Sequence, residues 1–251
     1  MLDHLLYNVV DFLRLYPSIG ITVFSSIISG FFVIQINRSF GYVGLGCYMA
    51  LMPILGNIQV LYATRYEIID LPVFLGTISL SSSFLANDFI NEFYGKDIAK
   101  KTVYLTFFIQ IIFLVNIILT MGHKPLISEN FSIPQDIISK NINGIFQTFL
   151  PAPRLLIASY AAYLSSQLFE IWLYRAIKYV KFIKNTLILH NISLFFSSVI
   201  IDTIVFTSVS FCFLSESPLS YQDLCYICSS AIVIRIFCNF INSLFLKTVI
   251  R

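Results

Sequence analysis

Seven apolar runs, each close to the length of a membrane-crossing helix, leave this chain few ways to fold. They cover residues 19–36, 41–63, 71–89, 99–121, 153–174, 187–214 and 225–249. A helix needs about 20 apolar residues to cross the hydrocarbon of a bilayer. Backbone polar groups in lipid must be satisfied within their own segment, so runs of this length read as helices. Of 251 residues, 57% are hydrophobic and 12% are charged, where a soluble domain carries roughly one quarter charged. A core of this size cannot hide so much apolar surface from water. The expected fold class is therefore all-α, a polytopic membrane helix bundle whose solvent is lipid.

The segments between the runs orient the bundle. Residues 1–18 look amphipathic and interfacial, with Asp3, Asp11 and Arg14 set among Leu, Tyr and Phe. No small-x-small cleavage site follows, so the run at 19–36 reads as a retained span rather than a signal peptide. Residues 122–143, with Pro125 and Pro134, read as an external loop. One side of the bundle collects Arg38, Lys96, Lys100, Lys101, Arg175, Lys178, Lys181, Lys184, Lys247 and Arg251. The other has Arg14, Arg65, Lys124 and Lys140, a bias of 10 to 4. Positive charge stays in the cytoplasm, which predicts an outside N-terminus and a cytoplasmic C-terminus.

Charge at bilayer depth is costly and usually faces a cavity or a partner. The block Asn87-Asp88-Phe-Ile-Asn91-Glu92-Phe-Tyr-Gly95-Lys96 closes the third run. On a helix, Asp88 and Glu92 are one turn apart, as are Asn87 and Asn91. Asn57, Arg154, Gln167, Asp202, Arg235, Asn239 and Asn242 also fall in or at the edge of runs. For the neutral ones, helix-to-helix glue is the leading explanation. At helical spacing, Asn191, Ser198 and Asp202 share one stripe, and Arg235, Asn239 and Asn242 another. Ala158, Ala162 and Ser166 form a small-xxx-small face that lets a neighbouring helix approach. Asp202 must pair, protonate or meet water. Two readings stay open for it: a structural ion pair with Arg154 or Arg235, or a polar pocket in which it bonds a ligand.

Several functions are disfavoured. A net charge of +3, without basic runs interleaved with aromatics, gives no footing for direct nucleic-acid binding. Cys225-x-x-Cys228 is half a zinc site with no second half, so no metal and no cofactor is expected. Gly95-Lys96 is not a P-loop, and H-E-x-x-H is absent. The glycines Gly41, Gly44 and Gly46 lack the strand-then-helix context of a dinucleotide site, and close helix packing explains them better. The chain reads as a non-enzyme. Without an ATPase motif, any transport is secondary, facilitated or driven by a separate subunit.

The Asn87–Lys96 block, preceded by Asn57 and continued by Asp97-Ile-Ala99-Lys-Lys, resembles the queuosine precursor transporter family, also called the vitamin uptake transporter family. The likeness runs on through Pro153-Arg154-Leu-Leu-Ile-Ala158-Ser159 to Gln167, then Asn191-Ile-Ser193 and Ser198-x-x-x-Asp202-Thr203. It implies a six-span core similar to the substrate-binding subunits of energy-coupling-factor importers, here residues 41–251, with residues 1–40 an added interfacial segment and helix. It implies an importer in the cell inner membrane that carries 7-deazaguanine bases, such as 7-cyano- and 7-aminomethyl-7-deazaguanine or queuine, for tRNA modification. Glu170 stands where many members carry aspartate. The expected partners are the small base and the lipid bilayer, with a homo-oligomer or an energising ATPase module left open. A non-transporting scaffold is the alternative from another class.

Such a base presents N1–H and a 2-amino group on one edge, which a carboxylate accepts as a fork. Its C6 carbonyl wants a donor such as Asn or Arg. Asp202 or Asp88 could supply the fork, and Asn57 or Arg154 the donor, with an aromatic ring stacked on the bicycle. The candidate substrate-binding residues are thus Asn57, Asp88, Glu92, Arg154, Gln167, Asn191, Asp202 and Arg235.

Overall fold

The computed structural model describes residues 2–66, 72–124, 135–149, 152–178, 195–213 and 220–250. It is a helix bundle with one short ribbon. The order is α1 (Leu2–Arg14), α2 (Ser18–Gln59), β1 (Ala63–Arg65), β2 (Pro72–Phe74), α3 (Gly76–Phe93), α4 (Lys96–Gly122), α5 (Gln135–Phe149) and α6 (Ala152–Lys178). Then come a π-helical stretch at Phe195–Ile201, a short α7 (Asp202–Thr207), a second π-helical stretch at Ser208–Phe213, and α8 (Tyr221–Ile250).

The first two apolar runs are the two arms of α2. They meet at Gly41, whose φ of 60° and ψ of −147° interrupt the helix. A residue with a Cβ rarely adopts that backbone. The arms fold against each other, so Val33 of one and Leu45 of the other share a core cluster with Leu85, Phe89, Ala99, Val103 and Ile171. The first arm is also tied to later elements. Ser26 donates to Cys238 Sγ at 3.6 Å, Thr22 is hydrogen-bonded to Tyr66, and Gly30 lies under the ring of Phe245.

α3 is the central element. Fourteen of its 18 residues are buried, although it carries Ser79, Ser81, Ser82, Ser83, Asn87, Asp88 and Asn91. A soluble helix buried all round is apolar; here polar side chains are buried alongside Phe84, Leu85, Phe89 and Ile90. Tyr104, Leu105, Phe108, Ile112, Val115 and Leu119 of α4 are all exposed, which suits a lipid-facing surface. Three stretches are long and apolar enough to cross a membrane by length and composition: α2, α4 and Cys228–Phe245 within α8, among the described residues. α3 and α6 fall outside that set because they carry the interior's polar side chains.

Three expectations need correction. The second run does not continue as helix to residue 63. α2 stops at Gln59, and Ala63–Arg65 pairs antiparallel with Pro72–Phe74, so α3 begins at Gly76 rather than near 71. The ribbon sets Tyr66 and Val73 against Ile234 and Cys238 of α8, and that burial raises the Tyr66 phenol above its ordinary pKa. The external loop contains a helix of its own, α5, in which Asp136 occupies the first turn. Finally, the sixth run is π-helical on both sides of α7. The 3.6-residue spacing that put Ser198 and Asp202 on one stripe does not apply there.

Candidate functional site

A cavity of about 80 Å³ lies where the end of α2, the start of α3, α6, α7 and α8 converge. That is room for roughly five to eight water centres. Its geometry starts from two glycines. A Cβ on Gly76 would sit 2.3 Å from the Gly56 carbonyl oxygen, so α2 and α3 cross backbone to backbone. The crossing brings Asn57 and Thr77 to the same wall, with Leu80, Leu156 and Phe206 as apolar lining.

Asp202 and Arg235 complete the wall. Asp202 Oδ2 forms an ion pair with Arg235 Nη1, and both residues are buried. Arg235 Nη1 also donates to Thr203 Oγ1 at 3.3 Å, and Ser166 Oγ donates to Asp202 Oδ1 at 3.4 Å. Each carboxylate oxygen has two lone pairs, so Asp202 keeps acceptor capacity beyond these bonds. Asn57 Nδ2 is buried without a hydrogen-bond partner, and a buried donor left unmade is costly. The cavity therefore holds an acceptor with capacity, a donor lacking a partner, and one aromatic side chain.

A second polar group lies about 16 Å along α3 from Thr77, by the rise of 1.5 Å per residue. Here Asn87 Nδ2 donates to Glu170 Oε2 at 2.8 Å, and the Tyr174 hydroxyl donates to Glu92 Oε2 at 2.6 Å. Arg175 donates from Nε to Asn91 Oδ1 at 3.2 Å and from Nη2 to the Asn91 carbonyl at 3.0 Å. The last pair clamps the end of α3 just before Gly95, whose φ of 93° turns the chain into α4.

The proposed site residues thus divide. Asn57, Asp202 and Arg235 share the cavity. Asp88 and Glu92 belong to the second group and do not line it. Gln167 is buried on α6 with neither end of its amide hydrogen-bonded. Arg154 stands in the first turn of α6, and its side chain lies outside the described residues, as does all of Asn191. Of the two ion pairs considered for Asp202, the structure forms the one with Arg235. Among the described residues no group of three metal-ligating side chains assembles, and Cys225 and Cys228 are free thiols.

Sequence reasoning passed over Thr77, Ser159 and Thr203 in the cavity, and Tyr174 and Arg175 in the second group. Two were within reach. Thr77 is three helical turns before Asp88 on the same face of α3, and Tyr174 is one turn after Glu170 on α6. Arg175 counted only as a topology charge.

Residues 74–249 match the family described as "Putative vitamin uptake transporter". The chain is also 30% identical over 189 residues to the "Probable queuosine precursor transporter" of Bacillus subtilis (strain 168), an alignment covering 75% of this chain and 77% of that one. No solved structure matches it.

Proposed function

The chain belongs to the vitamin uptake transporter family, and we propose that it imports queuosine precursors, 7-deazaguanine bases, across the cell inner membrane for tRNA modification. It is a membrane protein whose family moves small molecules; the identity of the base rests on the cavity's chemistry. The observation that carries the reading is the pairing of Asp202 with an unsatisfied Asn57 amide in one small cavity. Asp202 accepts N1–H and the 2-amino group, Asn57 donates to the C6 carbonyl, and Phe206 offers a ring for the bicycle. Arg235 holds the carboxylate in place. Arg154 and Asn191 are further candidate contacts for the base in the same reading, and Gln167, Asp88 and Glu92 line its way inward. No step in it is catalytic.

The direction follows from where the cavity lies. It sits at the α2–α3 end of the bundle, opposite the Gly95 turn that Lys96, Lys100, Lys101 and Arg175 surround. Those cations belong in the cytoplasm, so the N-terminus is outside and the cavity receives the base from outside.

The test uses a host that depends on an external precursor for tRNA queuosine. Expression of the chain should restore uptake of labelled 7-cyano-7-deazaguanine and queuosine in tRNA. Asp202→Asn should reduce both at least about 100-fold, since a site built to hydrogen-bond a polar edge discriminates by several kcal/mol. Unchanged uptake by Asp202→Asn at equal membrane levels would remove the carboxylate from the site.

A further inference from the structure

A second and larger opening lies beside the Asp202 cavity, across one helix crossing. It measures about 590 Å³, within the range of roughly 300–1,000 Å³ usual for small-molecule sites. The Asp202 cavity measures about 80 Å³ and must widen to take a flat bicycle, whereas the second has the room as it stands. Both are lined by the same two segments. Asn57 and Thr77 face the Asp202 cavity, while Gln59 and Ser79 face the second. Between them α2 and α3 meet backbone to backbone at Gly56 and Gly76. On the second cavity's side, Ser79 Oγ donates to Gln59 Oε1 at 2.7 Å and ties the two helices together.

The first arm of α2 supplies the far wall. Ser18, Thr22, Ser25 and Ser29 line the cavity, and their helical spacing puts them on one face of the arm. Phe24, Ile27 and Phe31 on the opposite face are exposed, as a lipid-facing surface is. Hydroxyls at bilayer depth usually serve as glue between packed helices. The outer half of this stripe does so: Ser18 is hydrogen-bonded to Thr64 Oγ1 at 3.2 Å, and Thr22 to Tyr66. Ser25 and Ser29 border the opening instead, and Ser29 lies about 16 Å along the arm from Ser18 by the helical rise. Arg14, Tyr16 and Tyr62 are exposed at the rim. Among the described residues Arg14 is the one charge in the lining, and it pairs with Asp11 at 3.2 Å. Apolar side chains such as Ile28 and Met52 make up the rest, with the buried ring of Tyr48. A phospholipid headgroup asks for charge, and an acyl chain for an apolar wall. Hydroxyls, an amide and rings fit a neutral flat heterocycle with donors and acceptors on its edges.

We propose that this second cavity is an outer binding site for the base, which waits there until the α2–α3 crossing parts and admits it to the Asp202 cavity. The proposal rests on the transport reading above. Ser25 and Ser29 hydrogen-bond the edges of the base from the arm, and Gln59 does so from the crossing. Gln59 has two N–H donors on Nε2 besides the oxygen that accepts from Ser79. A base carbonyl that takes them lies against the bond joining α2 to α3. Asp202 belongs to the other cavity and takes no part in this first binding.

The test places the purified full chain in proteoliposomes, with labelled 7-cyano-7-deazaguanine as the probe and a charged, membrane-impermeant methanethiosulfonate as the thiol reagent. Ser25→Cys puts a thiol on the hydroxyl face of the arm, and Ile27→Cys puts one on the lipid face. Trypsin releases residues 15–38 as one fragment without a native cysteine, so the mass of that fragment reports the new thiol alone. The thiol at position 25 should react at least about tenfold faster than the one at 27, since a thiol in apolar surroundings ionises poorly. Base at about ten times its half-protecting concentration should slow the reaction at 25 about tenfold. The same protection should persist when Asp202→Asn is added and base exchange is lost. Ser25→Phe, which fills the cavity, should cut base exchange at least about tenfold at low base, while Ile27→Phe exchanges as the wild type does. Equal rates at 25 and 27 would mean that lipid fills the opening. A reaction at 25 that base leaves unchanged, or slows only with Asp202 present, would mean that the base is not held there. Each of these results overturns the outer site, and wild-type exchange then leaves the transport reading standing. Absence of wild-type exchange would overturn both.

Discussion

Asp202 and Arg235 occupy a position where a structural role and a binding role coincide, and the two separate by charge. The pair is buried. Removing one partner of such a pair strands the other and costs about 3–5 kcal/mol, while replacing both by neutral groups is often close to neutral. Arg235→Gln alone should therefore lower the thermal unfolding midpoint in detergent sharply. Combined with Asp202→Asn, it should recover most of that loss. Uptake should not recover in the double variant, because an amide at 202 presents a donor where the base also presents donors. Recovery of uptake together with stability would make the pair a register device and nothing more. That Asp202 needed a partner was legible in the chain, since an aspartate in an apolar run has few alternatives. Which arginine supplied it was not, because Arg154 and Arg235 sit in equally apolar company and only the approach of α8 to α7 decides between them.

At the scale of elements, the cavity depends on α2 and α3 crossing at zero side-chain thickness. Gly76 has no room for a Cβ, which would meet the Gly56 carbonyl oxygen at 2.3 Å and its carbon at 3.1 Å. Gly56 is less crowded, with the Gly76 oxygen 3.2 Å from its Cβ position. Gly76→Ala should push the helices apart and destabilise by about 2 kcal/mol, with Gly56→Ala under about 1 kcal/mol. Gly144→Ala is the control: nothing lies within 4 Å of its Cβ position inside α5, so it should gain about 0.5–1 kcal/mol from helix propensity. Thermal unfolding of the three variants in one detergent orders them. Equal effects at 56, 76 and 144 would contradict the crossing. Helix number was readable because apolar length is a one-dimensional signal, and the polar breaks around Arg38 and Lys96 mark the turns at Gly41 and Gly95. The crossing was not, since Gly56 and Gly76 lie in different runs. The π-helical stretches escaped for a related reason: nothing in Phe195–Phe213 distinguishes 3.6 from wider turns until Asp202 must reach both Ser166 and Arg235.

For the whole molecule, the question is whether the N-terminal segment is separable. The family match begins at residue 74, and residues 1–40 read in the sequence as an addition to the shared core. Two parts of that segment behave differently in the structure. α1 is exposed from Leu6 to Arg14, with Leu6, Tyr7, Val9, Val10 and Phe12 all open, and its internal ion pair of Arg14 with Asp11 is on the surface, where such pairs are worth at most about 1 kcal/mol. The first arm of α2 is bound in. Gly30 admits the Phe245 ring, Ser26 meets Cys238, and Thr22 meets Tyr66, which the ribbon holds against Ile234, next to Arg235. The arm therefore packs on α8 one to three turns beyond Arg235, and so braces the position of Arg235. Deleting residues 1–17 should leave expression, unfolding midpoint and base exchange near wild type. Deleting residues 1–40 uncovers Cys238 and the Phe245 ring and frees the Tyr66 hydroxyl, so the unfolding midpoint and exchange should fall together. The accessibility of Cys238 to a maleimide reports the same event directly: slow in the full chain and the short deletion, fast in the long one. If the long deletion exchanged base as well as the full chain with Cys238 still protected, the arm would be an appendage, and α8 would owe its placement to α3 and α7 alone.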